Sequence, residues 1–171
     1  MSWIRKKKKY TKPRKAYDKV RIEEENILVK KYGLKNKREI WKADSAVKRV
    51  RNQAKKLITS SKEEQESLFK KLNKIGFKAE KIADILAMTK EDWLKRRLQS
   101  ILIIKGLAKP KQARQLITHK HIFIDGKVVN VPGKIININE EDKIQIMSYP
   151  KKDDPKNKLL KQENSIEDKN G

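Results

Sequence analysis

Residues 93–147, WLKRRLQSILIIKGLAKPKQARQLITHKHIFIDGKVVNVPGKIININEEDKIQIM, decide the fold of this chain. Thr89 with Asp92 three residues on has the spacing of a capping box, so a helix is expected from Lys90 to about Lys105. It would bury Trp93 or Leu94, Leu98, Ile101 and Leu102 and stop at Gly106. Pro110 suits the first position of a second helix, where its missing N–H costs nothing. In that helix Ala113, Leu116 and Ile117 point inward, and Lys111, Arg114 and Gln115 outward. The pattern then changes to period two. His121–Ile124 reads as a strand, Asp125-Gly126 as a two-residue hairpin turn, and Lys127–Val129 as the returning strand. After the turn Val131-Pro132-Gly133, residues Ile135–Ile138 extend, Asn139–Asp142 make a polar turn, and Lys143–Met147 close as a last strand. Residues 93–134 hold ten Lys/Arg against one acid, Asp125. Such an imbalance on a compact unit calls for an anionic partner.

The charge is general. The 171 residues carry 45 Lys+Arg and 22 Asp+Glu, a net +23, with a pI near 10.1. Self-repulsion on this scale destabilises a compact monomer unless a partner neutralises it. Nucleic acid is the commonest such partner, and a membrane surface the next. No apolar run reaches the roughly 18 residues of a spanning helix, and the basic N-terminus is not followed by the apolar core of a signal peptide. The chain has no cysteine, which excludes disulfides and thiolate metal sites. A cytoplasmic nucleic-acid binder is expected.

Upstream, Asp18 to Tyr32 reads as a helix capped by Asp18 and ended by Gly33. The next, about Lys37 to Ile58, has Ile40, Ala43, Val47, Val50, Ala54 and Leu57 on one stripe. Lys42, Lys48, Arg49, Arg51, Lys55 and Lys56 lie off it, and residues 35–58 hold nine basic residues against Glu39 and Asp44. Ser61 with Glu64 predicts a capping box for a helix ending at Gly76, followed by a short helix with Ile82, Ile85, Leu86 and Met88 apolar. The acids Glu63, Glu64 and Glu66 place that region against solvent or a protein neighbour rather than phosphate. Residues 1–15 carry eight positive charges and no acid, with Trp3 and Tyr10 interleaved, the composition of an interaction arm whose aromatics can stack on bases. After Tyr149-Pro150 the chain turns to six Lys and five acids with few apolar residues, which predicts a disordered tail.

The fold class expected is therefore α+β: a helical N-terminal region packed with a small module of two helices and a short-stranded twisted sheet. The divisions are a basic arm (1–17), a helical domain (18–92), a compact basic module (93–148) and a flexible tail (149–171).

Recognition of structured RNA by shape needs cations on rigid elements at phosphate spacing, since flexible tails give affinity without register. The candidate contacts are Arg5, Lys6, Lys7, Lys8, Lys9, Lys12 and Arg14 of the arm; Lys48, Arg49, Arg51 and Lys55 of the basic helix; and Arg96, Arg97 and Gln99. To these the second module helix and its surroundings add Lys109, Lys111, Gln112, Arg114, Gln115, His119 and Lys127, with Lys134 as a further extension. Arg96 and Arg97 on one helix and Arg114 on the next offer guanidinium forks for phosphate. The N–H groups opening the second helix, beside Lys109 and Lys111, make a phosphate site. Gln112 also reads as structural beside core Ala113. His119 and His121 make a poor metal pair without a third ligand. There is no glycine-rich phosphate loop, H-E-x-x-H or nucleophile elbow. No cofactor, metal or enzymatic activity is expected.

The order R-R-L-Q-x-x-L (Arg96–Leu102), K-G-L-A (Lys105–Ala108), Q-A-R-Q-L-I (Gln112–Ile117), I-x-G-K-x-V (Ile124–Val129), V-P (Val131-Pro132) and D-x-I-x-I (Asp142–Ile146) resembles the S-four RNA-binding domain. That domain is named after the fourth protein of the small ribosomal subunit. It also occurs as an accessory in RNA-modifying enzymes and in one class of aminoacyl-tRNA synthetase. Upstream, YGLKNKREIWK (Tyr32–Lys42) and the basic helix through Arg49, Arg51 and Lys55 are similar to the archaeal and eukaryotic branch of the ribosomal S-four family. The resemblance implies a monomeric structural constituent of the small subunit in the cytoplasm. It implies a primary binder of small-subunit rRNA that grips a multi-helix junction of the 5′ domain, nucleates assembly and affects decoding accuracy. It also implies neighbours, among them the fifth small-subunit protein and the mRNA entry path. Some bacterial relatives hold an N-terminal zinc through cysteines that this chain lacks; the basic arm stands in that place. Two other readings stay open on charge and motif alone: the RNA-binding part of a modifying enzyme, for which 171 residues leave no catalytic domain, and a non-specific nucleic-acid compactor.

Overall fold

A computed structural model describes residues 9–147. Arg5, Lys6, Lys7 and Lys8 of the arm and the tail after 148 lie outside the described residues. Helix α1 is Lys19–Tyr32, with the Asp18 carboxylate accepting from the Arg21 N–H and Gly33 left-handed at its end, φ +59°. Helix α2, Lys37–Lys56, is the spine, continued by a 3₁₀ turn, Leu57–Thr59. Helices α3 (Lys62–Ile75), α4 (Ile82–Ala87) and α5 (Lys90–Lys95) complete the N-terminal part. Then come α6 (Leu98–Ile104), α7 (Pro110–Thr118), β1 (Ile122–Ile124), β2 (Lys127–Val128), the single turn α8 (Ile138–Glu141) and β3 (Ile144–Ile146). The three strands form one antiparallel sheet in the order β2-β1-β3, with Phe123 opposite both Val128 and Gln145. Asp125 and Gly126 both have positive φ, 53° and 74°, as a type I′ hairpin turn requires. The architecture is α+β, as expected.

Three apolar clusters hold it. Leu28 and Tyr32 of α1 meet Ile40 and Ala43 of α2 and Leu94 of α5. Farther along, Val47 and Ala54 of α2 pack with Leu68 and Leu72 of α3, Phe77 and Ile85. The third cluster joins Leu98, Ile101 and Leu102 of α6 to Ala113 and Ile117 of α7, Ile122 and Ile124 of β1, and Ile136. The first two share α2, so its apolar stripe determines how the N-terminal helices assemble.

The module departs from expectation in two places. The helix expected from Lys90 to Lys105 is broken at Arg96-Arg97, with Arg97 extended at φ −78°, ψ 145°. The break is held by a distant segment: Arg97 bridges antiparallel to Ile135, the Leu98 N–H donates to the Lys134 carbonyl at 2.8 Å, and the Ile136 N–H donates to the Arg96 carbonyl at 3.1 Å. Residues 135–138, expected as a strand, contribute only that bridge, because Asn137 and Glu140 form a capping box and start α8 at Ile138.

Capping also departs from the sequence signals upstream. Thr89 and Asp92 cap each other reciprocally, whereas the Ser61 hydroxyl makes no cap bond to α3. Thr89→Ala should therefore cost about 1 kcal/mol in urea unfolding, and Ser61→Ala close to nothing. Equal losses for the two would mean that Ser61 does cap α3 in solution.

Candidate nucleic-acid interface

Two kinds of basic residue emerge. Lys12, Arg14, Lys48, Arg49, Lys55, Lys109, Lys111 and Lys127 are exposed, as are Gln112, Gln115 and His119. Lys48 is paired with Asp44 at 2.7 Å on the same helix. By helical periodicity Lys48 lies about 100° round α2 from Arg49, so the basic helix presents two flanks rather than one. Arg51 turns inward and donates to the Met88 carbonyl. The imidazoles of His119 and His121 stack at 6.3 Å, and no cluster of three metal-ligating residues occurs among the described residues.

The second kind, expected as RNA contacts held on two helices, is instead engaged within the fold. Arg96 and Arg97 occupy the break between α5 and α6 instead of sharing a helix. Arg96 donates to the Glu141 carboxylate at 3.0 Å and the Ile136 carbonyl at 3.2 Å. Gln99 is 1% exposed; its Nε2 donates to the carbonyls of Gly33 at 2.8 Å and Pro110 at 2.9 Å, tying α1's end to α7. Arg97 and Arg114 converge on Glu39, at the start of α2, at 2.5 Å and 3.1 Å. Side-chain exposures of 8% for Arg97 and 13% for Glu39 mark a buried pair; Arg114, at 25%, closes it from the rim. The physical reason is economy of buried charge: a guanidinium this deep must be paired, and Glu39 of α2 supplies the carboxylate.

Burial opposes ionisation of Glu39, but the hydrogen bond and charge of Arg97, reinforced by Arg114, outweigh it and hold the carboxyl below the ordinary 4.5. Glu25 follows the same logic. Burial raises it, while hydrogen bonds from the Trp41 indole at 2.9 Å and Arg21 at 2.7 Å, with the charges of Arg21 and Lys37, bring it lower overall. Both acids lose their protons more readily folded than unfolded, so they stabilise the fold fully above their unfolded value. That contribution disappears as pH falls through the lowered folded values. The unfolding midpoint in urea should thus drop steeply below about pH 4.5, and Glu39→Gln should flatten part of that drop.

Between α2 and the turn 131–133 lies a groove of about 720 Å³. Lys9, Arg38, Lys42, Arg49, Arg97 and Arg114 line it, and Glu39, engaged by the two arginines, is its acid. Arg38, Lys42 and Arg49 stand at i, i+4 and i+11, one face of α2; that spacing is the signal by which Arg38 and Lys42, absent from the expected contacts, were legible. The arm reaches this groove along α2. The Thr11 N–H donates to the Ser45 hydroxyl at 3.1 Å, and Tyr10 lies 6.2 Å from Trp41, ring to ring. The arrangement offers fixed cations beside one end of a basic arm, which suits a polyanion rather than a chemical step.

The S4 domain family matches residues 96–142. The small ribosomal subunit protein uS4 of Methanothermobacter thermautotrophicus is 45% identical over 145 residues, covering 81% of this chain and 85% of that one. The protein of the same name from Nanoarchaeum equitans is 38% identical over 172 residues, covering 95% and 96%. That of Saccharolobus solfataricus is 44% identical over 146 residues, covering 81% of each.

Proposed function

Because the chain belongs to the uS4 family of small ribosomal subunit proteins, in its archaeal and eukaryotic branch, we propose that it is a primary rRNA-binding protein of subunit assembly. Membership makes it a structural protein of the cytoplasmic ribosome, not an enzyme, with an RNA-binding S4 domain. The finer reading is that it holds a multi-helix junction in the 5′ domain of small-subunit rRNA, nucleates assembly around it and so affects decoding accuracy. It sits beside the fifth small-subunit protein, with the mRNA entry path nearby.

The observation that carries this reading is the groove between α2 and the S4 domain, where cations from both parts are fixed relative to one another. A junction presents several backbones at set angles, and two rigid basic elements joined through Glu39 match such a target better than either alone. In this reading the exposed Lys12, Arg14, Lys48, Arg49, Lys55, Lys109, Lys111, Gln112, Gln115, His119 and Lys127 meet phosphate and sugar. Arg96, Arg97, Gln99, Arg51 and Arg114 chiefly hold the surface in register. If six to ten phosphates are neutralised, affinity for the rRNA should fall by roughly 10³ to 10⁵ between about 50 and 200 mM salt. Filter binding across that range checks it, and a fall below tenfold would leave too few contacts to hold a junction.

A further inference from the structure

We propose that the groove between α2 and residues 131–133 takes one unpaired RNA strand, its phosphates on the groove cations and a base toward Trp93. This inference rests on the RNA-binding reading and names the form of RNA that the groove accepts. Three observations carry it.

The first is an unsatisfied donor. Arg97 is 7% exposed and its Nη2 is held by Glu39, yet its Nη1, without contact to solvent, has no hydrogen-bond partner among the described residues. A buried guanidinium nitrogen without a partner is costly. Arg97 lines the groove, and because Nη1 is closed off from solvent, an anionic oxygen completes its fork only once the groove rim opens over that nitrogen.

The second is the composition of the lining. Arg38, Lys42 and Arg49 form one row on α2 with no ion-pair partner among the described residues. Trp93, half-buried against two of the apolar clusters and stacked on Phe77 at 5.5 Å and 18°, contributes its remaining edge to the same groove. Cations along a groove with an aromatic ring in it are what single-stranded nucleic acid requires: charge tracks the backbone, and the ring takes a base. Inside a double helix the base faces are stacked on one another, and only the two end pairs expose a face.

The third is size. At about 720 Å³ the groove falls within the roughly 300–1,000 Å³ that encloses a small-molecule ligand. One or two nucleotides fit that scale. A duplex can only lie across the mouth.

Val131 is 55% exposed on the rim, which permits a neutral plug. The test is Val131→Met, a longer neutral side chain with no ring to stack on a base, in the full chain, with an unchanged urea midpoint as the folding check, titrated with a short unstructured oligoribonucleotide and with a flush-ended RNA duplex of equal length. The plug should weaken the single strand at least about tenfold, the loss of a single stacked base or phosphate contact, and leave the duplex within twofold. Arg49→Gln, which leaves the groove open, should lower the salt slope for the single strand by about 0.7, one phosphate's worth. Equal behaviour of the single strand with wild type and plug would overturn the inference, as would equal weakening of strand and duplex. Failure of the wild type to bind small-subunit rRNA would instead overturn the functional reading, so the two failures are distinct. Adding the oligonucleotide to the preformed protein–rRNA complex identifies the strand's source. Exclusion assigns the groove to the rRNA, and simultaneous binding there, abolished by the plug, assigns it to a second RNA.

Discussion

Glu39→Gln should destabilise the protein by about 3 kcal/mol or more, the scale on which removal of one member of a buried ion pair leaves the other uncompensated. Two guanidinium groups depend on this carboxylate, one of them almost without solvent. Glutamine keeps the shape and one acceptor oxygen but loses the charge. The effect should reach beyond stability, because Glu39 belongs to α2 and both arginines belong to the S4 part of the chain. With the link cut, the net charge rises by one and binding to arbitrary RNA should hold or increase. Affinity for small-subunit rRNA, corrected for the folded fraction, should fall at least about tenfold. Urea unfolding and paired binding titrations read the two effects separately. A variant within about 1 kcal/mol of wild type with unaltered selectivity would mean that the Glu39 link is a surface-grade contact and that register has another origin.

Gly33→Ala should be nearly as damaging, by a different mechanism. Gly33 is left-handed, and a Cβ there would lie 2.6 Å from the Pro110 carbonyl oxygen and 2.7 Å from its carbon. Both are backbone atoms, which no rotamer change can move. A left-handed alanine costs about 1–2 kcal/mol, and overpacking about 1–3 more. Relief requires the end of α1 to draw away from α7, which also stretches the two bonds from Gln99 to Gly33 and Pro110. Gly126→Ala is the matched control: its φ is similar, 74°, but nothing lies within 4 Å of the added carbon. It should lose only the conformational part, about 1 kcal/mol. The difference between the two variants measures the close approach of the helical part to the S4 domain. Equal losses would show that the approach carries no weight.

Much of the fold was legible because its causes are local. Asp18 and Gly33 bracket α1, the three-and-four spacing of Ile40 to Leu57 sets α2, and Asp125-Gly126 has the conformation that its hairpin demands. What escaped reading was set from a distance. Leu94, Leu98, Ile101 and Leu102 keep helical spacing straight through Arg96-Arg97, and only pairing with residues 134–136, some forty positions on, opens the chain there. The short helix α8 did have a local sign, Asn137 with Glu140, but Ile135, Ile136 and Ile138 gave the competing impression of a strand. At the candidate site the residue types were legible and their roles were not. Arg97 and Arg114 look like phosphate forks until Glu39, 58 positions before Arg97, is seen to hold both. A sequence displays its charges without displaying which of them are already spent on one another.

On the proposed function, rigid placement of these cations, rather than their number, selects the RNA. Its most direct test is the ratio of affinities for a 5′-domain fragment of small-subunit rRNA and for structured RNA of equal length and unrelated sequence, measured with the full chain at about 150 mM salt. Register held by the folded surface predicts a ratio of about 10³ or more, shrinking toward unity in Glu39→Gln. A ratio near one for the wild type would contradict the account and leave only a polycation that binds RNA by charge.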